Sequence, residues 1–145
     1  MKIATADAMH QLGRKVAAEF KAGDLIILDG PLGAGKTVFV QGVGDHLGLT
    51  EITSPTFTIS RTHHSSPPLI HVDAYRLLIS GAARLELDDL DLDTARESAI
   101  TIIEWGADLA PALSDEYLLI RIDRTDEVRE VSAEAFGQRW QGFTL

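Results

Sequence analysis

An α/β fold with a mixed central sheet flanked by helices is predicted by three features of the sequence. The first is the unbroken apolar run Leu25-Ile26-Ile27-Leu28, followed by Asp29-Gly30-Pro31-Leu32-Gly33-Ala34-Gly35-Lys36-Thr37. A run of that length suits a strand buried on both faces, and the proline-free stretch from Lys36 to about Leu47 suits a helix. The second feature is a pair of further buried-type strands at residues 69–74 and 99–105. The third is the connector Ser65-Ser66-Pro67-Pro68, too short for a helical crossover, so the extended segments on either side of it are expected to pair antiparallel. Gly30 to Thr37 also matches G-x-x-x-x-G-K-T, and strand, glycine loop and helix stand in the order that motif requires. The expectation is one P-loop NTPase-like domain over residues 1–145, parallel at its centre with an added antiparallel part.

In chain order, residues 5–21 predict a helix: Thr5 or Asp7 can cap it, Met9, Leu12, Val16 and Phe20 recur at helical spacing, and Gly23 stops it. Its expected task is to cover the sheet. In the helix after the glycine loop, Val38, Val40, Val43 and Leu47 supply the apolar face, while Gly42 and Gly44 imply close packing against a neighbour. Residues 51–62 read as extended, and residues 75–98, with leucines and aspartates interleaved, are open between short helix and irregular loop. Pro111 interrupts a short helical piece, residues 116–123 alternate as a strand, and residues 128–143 add either another strand or a packed tail.

Composition narrows the function. The 145 residues are 45% hydrophobic and 24% charged, as in ordinary globular proteins, and no apolar run approaches a membrane span. A cytoplasmic location is the expectation. With 13 Lys and Arg against 22 Asp and Glu, the net charge is −9, and no basic cluster exists to hold a nucleic-acid backbone unaided. The absence of cysteine excludes disulfides and thiolate chemistry.

The glycine loop carries the chemistry. Residues Leu32, Gly33, Ala34, Gly35, Lys36, Thr37 and Val38 form the expected nucleotide-contacting stretch, with main-chain N–H groups and a helix N-terminus turned to a triphosphate. Lys36 reaches the β- and γ-phosphates as a point charge, and the Thr37 hydroxyl ligates magnesium. Asp73 and Glu104 each fall at a strand end, where ligands collect in open α/β sheets. Asp73 is the candidate Walker-B-type magnesium carboxylate, against a plain turn or capping role. Glu104 is the candidate that orients the attacking water, and a further magnesium contact, against a core ion pair. Thr56, in Ser54-Pro55-Thr56-Phe57, occupies the place where small NTPases keep a γ-phosphate-sensing segment, or else simply leads into a strand. His63, His64 and His71 lack a third metal ligand at suitable spacing and read as solvated or core residues.

Four blocks in this order, Gly-Pro-Leu-Gly-Ala-Gly-Lys-Thr, Ser-Pro-Thr-Phe-Thr-Ile, His-Val-Asp-Ala-Tyr-Arg-Leu and Ile-Glu-Trp-Gly, resemble the bacterial TsaE ATPases of tRNA threonylcarbamoyladenosine biosynthesis. The resemblance runs from about Thr5 to Leu113. It implies a small P-loop fold, weak magnesium-dependent ATP hydrolysis, and association with TsaB and TsaD, which modify adenosine 37 of tRNA. It further implies that Lys36 and Thr37 contact nucleotide and magnesium, that Thr56 lies in a switch-like segment, that Asp73 is the second magnesium contact and that Glu104 is needed for hydrolysis. The acidic charge accords with tRNA being met only through partners. A small-molecule kinase is the rival reading; Arg61, Arg76 and Arg84 would close its lid. A GTP switch is disfavoured, because no N/T-K-x-D motif is present.

Overall fold

The computed structural model describes residues 1–31, 33–50, 52, 60–75, 95–105, 107, 110–124 and 126–145. Within them the elements are β1 (Lys2–Ile3), α1 (Ala6–Ala17), β2 (Leu25–Asp29), α2 (Lys36–His46), β3 (Ser60–His63), β4 (Leu69–Asp73), β5 (Ile100–Glu104), α3 (Ala110–Leu113), β6 (Tyr117–Asp123) and β7 (Arg129–Phe136). The strands form one sheet in the order β1-β7-β6-β2-β5-β4-β3. Strand β2 lies between β5 and β6 and is parallel to both, and β4 continues the parallel part beside β5. Antiparallel pairs finish both edges: β3 with β4, and β6 with β7, which in turn pairs with β1. The mixed sheet and the β3–β4 hairpin are as the sequence predicts. No helix among the described residues is long and apolar enough to cross a membrane.

Alternation along the strands sends two apolar sets to opposite faces. Ile26, Leu28, Ile100, Ile102, Leu118 and Ile120 pack with α1 and α2 on one face. Leu25, Ile27, Val72, Ile103 and Leu119 pack on the other, with Ala110 of α3. In α2 the fully buried residues are Phe39, Val40 and Val43, and Val38 is only half-buried, so the buried face is turned slightly from the expected one.

Thr5 caps α1, its side chain accepting from Ala8 N–H at 3.0 Å. The helix ends at Ala17, earlier than expected, and Gly23 is not its stop. Instead Ala18, Glu19 and Phe20 donate to carbonyls three residues back, tightening the chain so that Phe20 turns inward. There its ring meets Trp140 edge-on at 5.9 Å. Gly23 serves the entry to β2, its N–H bonded to Ala99 O at 2.9 Å. Pro111 also differs from expectation: it sits in the first turn of α3, where a missing N–H costs no hydrogen bond, and does not interrupt it. The C-terminal segment supplies both a strand and a packed tail. Arg139 holds the tail with Nε and Nη2 on the two oxygens of buried Asp24, at 2.9 and 2.8 Å.

Gly13 and Gly42 let α1 and α2 touch backbone to backbone. A Cβ on Gly42 would run into the main chain of His10 and Arg14, and one on Gly13 into the Phe39 carbonyl. A Cβ on Gly44 would first meet the side chains of Ile52 and Leu49, which can move. Gly42→Ala is therefore expected to lower stability by about 2 kcal/mol: a clash with main chain places overpacking at the top of its usual range of roughly 1–3 kcal/mol, and alanine's helix propensity returns about 1 kcal/mol. Urea unfolding should show a lower midpoint with unchanged slope, and a smaller change for Gly44→Ala.

Candidate functional site

Because β2, β4, β5 and β6 run parallel, their C-terminal ends gather at one edge of the sheet, and the glycine loop springs from the end of β2 there. Gly35 forms the N-cap of α2 at φ 110°, a left-handed conformation that glycine adopts without steric cost. Phe39 N–H closes the first helical bond onto Gly35 O at 3.0 Å. No side chain caps the helix, and its first turn carries no acidic residue. Among the described residues the N–H groups at that end have no side-chain acceptor, and they stand at the positive end of the helix dipole.

Lys36 is buried, 6% exposed. Its ammonium donates to the carbonyls of Gly30 and, at 3.2 Å, Pro31, and lies 3.6 Å from the centre of the Trp105 ring. Burial pulls its pKa below the ordinary lysine value, and the carboxylates of Glu104, Asp29 and Asp73 oppose that shift. The loop thus keeps its cation folded over its own carbonyls. Trp105 has a left-handed backbone, φ 64°, uncommon for a bulky side chain, and its ring also meets Tyr75 at 5.1 Å.

Asp73 and Glu104 are the last residues of β4 and β5 and stand opposite each other in register. They are brought together on the sheet face that carries α2, since His71 and Asp73 alternate with the opposite-facing Val72. Asp73 Oδ1 accepts from Tyr75 N–H at 3.0 Å, so it also has the turn role that the sequence allowed. Glu104 is 4% exposed, and its Oε2 lies 2.5 Å from His71 Nε2 in a buried pair. Glu104 thus has the buried core pairing that the sequence allowed, and the core-histidine reading of His71 holds, but that the two would be each other's partners was not foreseen. Thr37 is half-buried in the first turn of α2. Leu32, Thr56, Arg76 and Arg84 lie outside the described residues, as does most of the acidic stretch 85–97. Arg61 sits on β3 opposite His71.

Sequence reasoning did not anticipate two arginines beside the loop. A Cβ on Gly33 would meet Arg124 Nη1 at 2.9 Å, and Arg129 Nη2 donates to Gly33 O at 3.4 Å. Arg124 follows β6 and Arg129 opens β7, both distant from the loop in sequence and without a motif. A cavity of about 320 Å³ adjoins the loop on its α1 side, lined by Ile3, Thr5, Met9, Gly35, Val38 and Arg129 among others. It touches the loop but not Lys36, Asp73 or Glu104. The first turn of α1 therefore borders the site, where the sequence predicted chiefly a sheet-covering role.

No cluster of three His, Asp or Glu side chains placed to hold a metal ion exists among the described residues. Among the described residues, the oxygen donors expected from the sequence at this edge are the Thr37 hydroxyl and the carboxylates of Asp73 and Glu104, while Asp29, at the end of β2, pairs with Arg121 at 3.2 Å. All are hard oxygen ligands, too few for a dedicated cage but suited to a magnesium ion that brings phosphate and water oxygens with it.

The family model described as threonylcarbamoyl adenosine biosynthesis protein TsaE matches residues 3–131. The tRNA threonylcarbamoyladenosine biosynthesis protein TsaE of Streptomyces coelicolor is 46% identical over 141 residues, covering 91% of this chain and 93% of its own. The protein of the same name from Bacillus subtilis is 37% identical over 134 residues, covering 90% of this chain and 81% of its own. The crystal structure of Bacillus subtilis YdiB superposes with a TM-score of 0.77 at 30% identity, over 97% of this chain and 87% of the other.

Proposed function

Because the chain belongs to the TsaE family of threonylcarbamoyl adenosine biosynthesis proteins, we propose that it is the component of this tRNA modification system that binds and hydrolyses Mg-ATP. The observation that carries this reading is the uncapped N-terminus of α2, with a buried lysine at its entry, on the C-terminal edge of parallel strands. Such a place binds polyanions through main-chain donors, and the acidic surface elsewhere gives a nucleic-acid backbone no comparable hold.

In this reading the triphosphate lies along residues 32–38. Lys36 leaves the carbonyls of Gly30 and Pro31 for the β- and γ-phosphates, whose charge outweighs what it gives up. The cavity beside Gly35, Thr5 and Met9 adjoins the loop and takes the adenine. Thr37, Asp73 and Glu104 would hold a magnesium ion, which would supply neutralisation of the triphosphate charge there. Glu104 orients a water at the γ-phosphorus. As the water oxygen bonds to phosphorus, the bridging oxygen departs with ADP and the water proton passes to the carboxylate. Thr56 reports the presence of the γ-phosphate, and TsaB and TsaD are the partners that the ATP cycle serves at adenosine 37.

Co-purification tests the role. Immobilised protein should retain TsaB and TsaD more strongly with ATP than with ADP, and turnover should rise in their presence. Retention of neither partner under any nucleotide condition would contradict it.

A further inference from the structure

The His71–Glu104 pair takes no part in holding phosphate, yet it is among the most buried polar groupings in the described chain. His71 is fully buried in the middle of β4, among Leu69, Ile70 and Val72. It pairs in register with Ile102, and Asp73 with Glu104, so His71 and Glu104 meet diagonally on one sheet face. Its second nitrogen, Nδ1, is buried and has no hydrogen-bond partner among the described residues.

A neutral imidazole carries hydrogen on one nitrogen only. Were it on Nδ1, a buried N–H would be orphaned and a bare Nε2 would face a carboxylate oxygen at 2.5 Å. On Nε2, the hydrogen meets Oε2 and only an acceptor lone pair goes unused, the cheaper outcome. Nε2–H therefore donates to Oε2, and Oε1 is the oxygen left for ligands. A glutamate side chain free to rotate would lose that aim.

We propose that His71 is a positioning residue: by binding Oε2 it locks the Glu104 rotamer, so that Oε1 is presented to the attacking water. This rests on the reading of Glu104 as the group that orients the water. Preorganised carboxylates in active sites are commonly held by such a partner, and loss of the partner costs roughly 10- to 100-fold in activity.

The experiment compares wild type, His71→Leu and His71→Gln in ATP turnover, with partners present if turnover requires them, together with Mg-ATP calorimetry and nitrogen-15 spectra of the imidazole without nucleotide. In wild type, Nε2 should be protonated and Nδ1 bare. His71→Leu should lose roughly 10- to 100-fold in kcat, with KM and Kd for Mg-ATP within about two-fold of wild type. His71→Gln, whose amide N–H can reach Oε2, should recover most of kcat. A Nδ1-protonated ring, wild-type kcat in folded His71→Leu, or a loss confined to KM would overturn the proposal. So would equal kcat losses in the leucine and glutamine variants. A wild type without turnover under every condition would overturn the hydrolysis reading, and the inference with it, even where the spectra bear out the hydrogen bond; the two failures are thus told apart.

Discussion

Glu104→Gln is expected to lower ATP turnover by roughly 10²- to 10⁴-fold while leaving Mg-ATP affinity within about two-fold of wild type. Glutamine keeps the shape of the side chain, and its carbonyl oxygen can still accept from His71 Nε2–H, so the end of β5 should keep its geometry. What disappears is a carboxylate able to orient a water and receive its proton. Affinity survives because the triphosphate is held by the loop amides and Lys36, Thr37 and Asp73 still hold the magnesium, and the triphosphate's own charge replaces the carboxylate as the neighbour of the ammonium. Glu104→Ala should lose turnover equally, with an added stability cost from stranding buried His71. Steady-state hydrolysis beside calorimetry separates the two quantities. Equal hydrolysis by wild type and Glu104→Gln would remove Glu104 from the chemistry.

Lys36→Ala has the opposite signature. Binding of Mg-ATP should weaken on the order of 100-fold, the equivalent of the roughly 3 kcal/mol that a charged hydrogen bond can contribute. Stability should change little or rise. The ammonium is desolvated, and its contacts with Gly30, Pro31 and the Trp105 ring offset a burial cost that alanine does not incur. Urea unfolding without nucleotide and titration with Mg-ATP make the comparison. An unchanged affinity in a folded Lys36→Ala protein would show that the loop does not receive the phosphates.

Much of this framework is legible in the sequence because it rests on short-range signals. The β3–β4 hairpin follows from a connector too short for a crossover, and β5 follows from an apolar run that proves buried at every residue. Asp73 and Glu104 are found at strand ends because each closes such a run. Strand β7 is harder to read, since only Val131 along it is buried and its residues show no clean alternation. The two-residue β1 has no periodicity at all and exists through pairing with Arg129 and Glu130 of β7. The His71–Glu104 contact depends on the register between β4 and β5, and the approach of Arg124 and Arg129 to Gly33 on how the chain leaves β6 and enters β7. Neither leaves a spacing signal in the chain. Gly42 is an intermediate case: its presence in a helix announces close packing, but its partner, the His10 carbonyl, appears only in three dimensions.

The central claim is that the main chain from residue 33 to Thr37, with Lys36, forms a receptor for a triphosphate bound to a divalent cation. Isothermal titration of ATP into the wild-type protein, with and without magnesium, tests it most directly. The account predicts saturable binding at one site, stronger with magnesium present. No heat and no saturation in either titration would contradict it.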